Sequence, residues 1–234
     1  MAIKRGQLTR EKANVIFVID ASASMFVNEE RIGKVNYAMP LVKKSLVELA
    51  DRYHVDCMMR VLIFGKESKW IIGDEKSGVN VKEVVWKDID EELGLTNMAD
   101  ALDKVNQILT VGTLAEGSSM LLRPVVIMMT DGYCNTQYHE DFLKQVEIMR
   151  HKLTSSDKKE KVTRIGIGIS ENYSHKNLEE FASMATIQNQ LHPLVFDDKK
   201  TDLSEVINWA TATSVESSIT GEKNFDSLTW MLDK

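Results

Sequence analysis

The sequence predicts an α/β protein: a doubly wound, mostly parallel sheet with helices on both faces and one antiparallel edge strand. Two apolar runs, Val15–Ile19 and Val125–Met129, are continuous rather than alternating, as in strands buried on both faces. Each run leads into a carboxylate, Asp20 directly and Asp131 after Thr130. Strand-like and helix-like segments then alternate along nearly all of the 234 residues. Right-handed crossovers between parallel strands place the helices on both faces.

Residues 1–13 are polar and read as a short arm, and residues 14–20 are the first strand. From Gly33 to Arg52 the apolar residues Val35, Met39, Val42, Leu46 and Leu49 recur at helical spacing. Pro40 is awkward within that helix and predicts a first-turn position or a kink. His54–Phe64 is apolar almost throughout and reads as the second strand. Gly65–Ser68 is a turn, from which Lys69–Ile72 returns as the antiparallel edge strand. Residues 73–79 are a polar loop and 80–95 an irregular segment. Thr96–Val111 is a helix, 113–119 a Gly/Ser-bearing linker, 124–130 a strand and 139–153 a helix. Lys161–Ile169 is a strand with Gly166 and Gly168 among apolar residues. Ser174 predicts an N-cap for a helix through Ala185, Leu194–Phe196 is the last short strand, and Thr201 or Asp202 caps a helix ending near Thr213. Ser217–Gly221 reads as a linker, followed by Phe225, Leu228, Met231 and Leu232 at amphipathic spacing. The organisation is thus an arm (1–13), one domain (14–213) and a C-terminal extension (214–234), without repeats or low-complexity tracts.

A hydrophobic fraction of 43% is enough for a large core. The net charge is −6, and Lys and Arg are dispersed, so no basic footprint for nucleic acid exists. No segment has the length of a membrane span or the apolar core of a signal peptide. Cys57 and Cys134, one in a strand and one in a loop, do not form a disulfide framework. A cytoplasmic protein is expected. The five histidines are scattered and offer no ligand spacing; His139, beside Glu140, reads as surface.

The chemistry concentrates in three segments. Asp20-Ala21-Ser22-Ala23-Ser24 follows the first strand with one carboxylate and two hydroxyls. Leu93-Gly94-Leu95-Thr96 is a loop carrying a third hydroxyl into a helix, and Asp131-Gly132 closes a second buried strand. In open α/β sheets, ligands bind beyond the carboxyl ends of the strands at the point where strand order reverses. An all-oxygen donor set suits Mg²⁺ or Mn²⁺. The pattern Asp-x-Ser-x-Ser, then Thr, then a strand-closing Asp resembles the metal-ion-dependent adhesion site of the von Willebrand factor A domain family. The matching positions are Asp20, Ser22, Ser24, Thr96 and Asp131.

The resemblance implies that both serines and Thr96 touch a divalent ion while one or both aspartates act through water. An ion with mostly neutral direct ligands keeps much of its charge and favours an Asp or Glu carboxylate from another protein in its open position. This is recognition without catalysis: no base is poised over a water and no nucleophile is activated. Tyr133, Asn135 and Tyr138, just past Asp131, are expected at the rim. The family commonly has Gly where this chain has Ala23, and a positive φ there would strain the turn. The Pro-opened strand Arg123–Asp131 and the short single-domain form resemble the bacterial TerY-type tellurium-resistance proteins. That likeness implies a stress-response or signalling complex with kinase or phosphatase partners. Two alternatives remain: an adaptor subunit of a chelatase-like ATPase assembly, and a metal-dependent phosphohydrolase. The second carboxylate that haloacid-dehalogenase-type phosphatases carry two residues past the strand-end Asp is here Ser22, which argues against the phosphohydrolase.

Overall fold

The computed structural model describes residues 10–114, 121–132, 134–153, 161–169, 175–187, 190–197 and 202–221. The Ser174 cap, the 113–119 linker beyond Leu114 and the amphipathic segment 225–232 lie outside the described residues. In chain order the strands are β1 (Lys12–Asp20), β2 (Asp56–Phe64), β3 (Ser68–Ile72), β4 (Val79–Asn80), β5 (Val125–Thr130), β6 (Thr163–Gly168), β7 (Met184–Ile187), β8 (Gln190–Pro193) and β9 (Val195–Asp197). The helices are α1 (Glu30–Tyr53), α2 (Met98–Ile108), α3 (Val111–Leu114), α4 (His139–Arg150), α5 (His175–Phe181) and α6 (Leu203–Thr220).

The main sheet runs β3-β2-β1-β5-β6-β9. All neighbours are parallel except along the outer edge of β2, where β3 pairs antiparallel with one end and the two-residue β4 with the other. β1 lies between β2 and β5, with Asp20 opposite Phe64 and Ile19 opposite Met129. This adjacency brings the loops after β1 and β5 to one edge, as the alternating pattern requires.

Successive residues of β1 serve two cores. Val15, Phe17 and Ile19 pack with the buried faces of α1 and α6. Ile16 and Val18 pack on the other side with residues of α2, α4 and α5. All five are fully shielded from solvent, which explains why the run shows no alternation.

Several predicted boundaries move. α1 is preceded by a 3₁₀ turn, Ala23–Glu29, and Pro40 lies in its interior rather than its first turn. Pro40 is exposed, where water can serve the carbonyl that its ring leaves unbonded. The helix predicted over 96–111 is shorter, and α3 follows it as a separate turn. The helix predicted through Ala185 stops at Phe181: the Arg164 Nε donates to the Phe181 carbonyl at 2.5 Å, and Ser183 turns to pair its N–H with Arg164 O at 2.9 Å. The following residues form the hairpin β7–β8, a two-stranded sheet of its own. α6 runs to Thr220 instead of ending near Thr213, so Ser217–Thr220 are helical. Val215 is buried, Ile219 packs on the core, and Ser218 Oγ donates to Arg123 O at 2.6 Å. Apolar contact on the inner face outweighs the weak helix propensity of the serines.

Candidate metal centre

Asp20 is the last residue of β1 and is completely buried. Its Oδ1 accepts the Ser22 N–H at 2.8 Å, which folds the chain sharply back past the strand end. Its Oδ2 accepts from Thr130 Oγ1 at 2.5 Å, and the same hydroxyl accepts Gly132 N–H at 2.9 Å. Thr130 therefore ties the ends of β1 and β5 together. Ser22 and Ser24 present their hydroxyls to each other at 3.1 Å. Ala23, between them, is not among the described non-glycine residues with positive φ, which are His54 and Leu153. The strain considered for Ala23 does not arise.

The Thr96 loop is fastened to the first turn by main-chain bonds: Leu93 N–H to Ala21 O at 2.7 Å and Ala23 N–H to Gly94 O at 2.9 Å. It also lies against Gly65, where an added Cβ would stand 2.4 Å from the Leu93 carbonyl oxygen. Only glycine permits that approach. Asn97, not Thr96, caps α2, accepting from Asp100 N–H at 3.2 Å. No hydrogen bond engages the Thr96 hydroxyl among the described residues, and the residue is 7% exposed. Asn135 Oδ1 accepts Thr96 N–H at 2.7 Å, and Asn135 N–H donates back to Thr96 O at 3.1 Å. The third loop is thereby joined to the second.

Asp131 is 1% exposed and pairs with Arg31 in the first turns of α1, Nη1 to Oδ2 at 2.9 Å. The same nitrogen donates to Ser24 O at 3.0 Å. The network closes on itself: Asp20, Ser22, Ser24, Arg31, Asp131 and Thr130. Gly132, at φ +83°, makes the left-handed turn after Asp131, and its carbonyl accepts from Asn177 Nδ2 at 2.7 Å.

Burial pushes the Asp20 carboxyl up to about 7, despite the bonds from Ser22 and Thr130 that favour its anion; the nearby Asp131 charge adds to the rise. Among the described residues no cationic side chain pairs with Asp20; its bonds come from Ser22 and Thr130. The site thus holds a shielded carboxylate lacking a direct counter-charge, with the Ser22 and Ser24 hydroxyls on its own turn and Thr96 on the loop bonded to that turn. That chemistry fits a small hard cation. No group of three or more His, Cys, Asp or Glu side chains that could hold a metal exists among the described residues.

All five residues predicted as ligands stand on three loops at one sheet edge. Of the predicted rim, Tyr133 lies outside the described residues, and Tyr138 ends a 3₁₀ turn and is half-buried. Asn135 commits its side-chain oxygen to Thr96. His139 is half-buried rather than a surface residue, with Nε2 3.2 Å from Asn177 Oδ1 and 3.5 Å from a Glu180 carboxylate oxygen. The reading of the sequence missed Thr130 and Arg31. A Thr at a strand end beside an Asp is a signal for Thr130. Arg31 carries none, since a basic residue on a helix reads as solvated.

The family model for the von Willebrand factor type A domain matches residues 14–209. The chain belongs to that family, whose members are generally non-enzymatic modules for protein interaction, often metal-dependent. Among solved structures, a von Willebrand factor type A protein from Catenulispora acidiphila is similar at TM-score 0.60 and 15% identity, covering 90% of this chain and 43% of that one. The manganese-loaded TRAP protein of Plasmodium vivax gives 0.56 and 20%, covering 85% and 72%. Proximal thread matrix protein 1 from the mussel byssus, described with a zinc-occupied adhesion-site motif, gives 0.52 and 19%, covering 88% and 46%. This chain spans less than half the length of the first and third of these. No curated protein matches the chain. No described helix is long and apolar enough to cross a membrane.

Proposed function

We propose that this protein is a divalent-metal-dependent protein-binding module that recognises an acidic side chain of its partner. Asp20, Ser22, Ser24, Thr96 and Asp131 are the metal set, and Mg²⁺ or Mn²⁺ the ion. The observation that carries this reading is the buried Asp20 carboxyl, which has no cation against it and sits in one network with the serines and Asp131. Bound there, a divalent ion would supply a positive charge with a position open to a partner's Asp or Glu. The protein's residues do the rest. Thr130 and Ser22 N–H orient Asp20, and Asn135 holds the Thr96 loop. The three-loop platform is assembled before any partner arrives, which lowers the ordering cost of binding.

The manganese and zinc described for two structural neighbours agree with a divalent site. The Pro-opened strand before Asp131 supports a place among TerY-type proteins, in a bacterial cytoplasmic stress-response complex with a kinase or phosphatase. Among the described residues none at the site is arranged as a nucleophile with its base, which supports a binding role rather than an enzymatic one.

The test is a Mn²⁺ titration followed by a pull-down with Mg²⁺ and then with EDTA. Wild-type protein should show one saturable site and a partner retained only with metal. The Ser22→Ala/Ser24→Ala protein should fold but lose both. A partner indifferent to metal and serines would overturn the reading.

A further inference from the structure

We infer that Arg31 is a tethered cation that competes with the divalent ion for Asp131 and keeps metal affinity low until it is displaced; this rests on the metal-site reading above. The argument starts from position. Arg31 is the second residue of α1, just past the 3₁₀ turn Ala23–Glu29 that carries Ser24. What holds it there is the 2.9 Å pair with Asp131 Oδ2 and the 3.0 Å bond to Ser24 O. Both acceptors belong to residues assigned to the metal set.

Asp131 is 1% exposed, and a carboxylate so shielded needs a partner of opposite charge. Arg31 provides one through a short charge-assisted bond. A divalent ion served by Asp131 would provide another, and the two cations repel. One guanidinium also cancels one of the two carboxylate charges that attract the metal. The Arg31 side chain is 31% exposed, so it has solvent to swing into when displaced. Asp20, by contrast, is fully buried and takes its bonds from Ser22 N–H and Thr130 Oγ1, while the Arg31 guanidinium is spent on Asp131 and Ser24 O. The competition therefore falls on the outer carboxylate alone.

A purely scaffolding arginine predicts the opposite. If Arg31 only positioned Asp131, removing it would loosen that carboxylate and weaken metal binding.

The experiment is a Mn²⁺ titration of the full chain followed by electron paramagnetic resonance, with wild type and Arg31→Gln compared. Melting curves in EDTA confirm that both are folded, and Arg31→Met, which keeps the aliphatic stem, replaces Arg31→Gln should the latter not fold. The variant should bind about tenfold more tightly, through the loss of both a charge-assisted competitor and a like charge beside the ion. In wild type, Mg²⁺ should also shift one arginine side-chain ¹⁵N resonance, the one missing from the Arg31→Gln spectrum. Equal or weaker binding by the variant, or an unmoved resonance, overturns the inference and leaves the metal site standing. Binding by neither protein overturns the metal site itself.

Discussion

Replacing Asp20 with Asn should change how the stability of the metal-free protein depends on pH. In the folded protein the Asp20 carboxyl is pushed up to about 7 from an ordinary value of 3.8. Below the lower value the carboxyl is protonated in both states and contributes no pH dependence. Between the two values the unfolded chain releases the proton while the folded protein keeps it, so unfolding becomes easier as pH rises. Above about 7 both states are ionised and the cost is constant. At about 1.4 kcal/mol per unit, the window of roughly three units gives a loss of about 4 kcal/mol. The burial is complete, so solvent screening does not reduce this figure. Urea unfolding in EDTA, from about pH 4 to pH 8, reads the stability of wild type minus that of Asp20→Asn, which removes contributions common to both proteins. The difference should fall by about 4 kcal/mol with rising pH, and most of that fall should disappear in saturating Mg²⁺, because a bound cation holds the folded carboxylate ionised. A flat difference in EDTA would refute the claim that Asp20 is buried without a counter-charge.

Thr130→Val removes the donor to Asp20 and the acceptor for Gly132 N–H. Urea unfolding at pH 8 should show a loss of about 2–3 kcal/mol. Gly65→Ala places a methyl within 2.4 Å of the Leu93 backbone, so the loop must shift. A loss of about 3 kcal/mol with weakened Mn²⁺ retention is expected, and unchanged melting and titration would show that the loop has slack. Asn135→Ala leaves Thr96 N–H without its acceptor and should weaken metal binding about tenfold while costing about 1–2 kcal/mol in unfolding. Burial pushes the Cys57 thiol up to about 12, so a thiol reagent at pH 8 should modify it only after urea unfolding. Rapid modification of the native protein at Cys57 would contradict its burial.

The central sheet was legible because its strands are buried on both faces. Val15–Ile19 and Val125–Met129 are unbroken apolar runs, and a carboxylate at the end of each marks the edge where chemistry gathers. The hairpin β7–β8 was not legible. Residues through Ala185 read as a continuing helix, and the buried Arg164, which bonds the Phe181 and Ala182 carbonyls, together with the pairing of Ser183 with the Arg164 backbone and of β7 with β8, decides otherwise. α6 was underestimated for a similar reason: Ser217 and Ser218 signal a loop in isolation, but Val215 and Ile219 hold their turn against the core. At the metal centre, spacing displays residues that follow one another closely, such as Ser22 and Ser24. It hides Arg31 and Asp131, one hundred positions apart, whose partnership exists only once β1 and β5 are side by side.

The central position of β1 has a consequence for biosynthesis. This strand leaves the ribosome well before its partner β5, which begins at Val125, and before α6, one of the helices covering one of its faces, which begins at Leu203. At translation speeds of about 5–20 residues per second, Val15–Ile19 waits roughly ten seconds or more for those neighbours. An uncharged, β-branched, proline-free run of that kind is prone to pair with copies of itself. The nascent chain therefore has reason to be shielded by a chaperone, and yields of the recombinant protein should improve when synthesis is slowed by cooling.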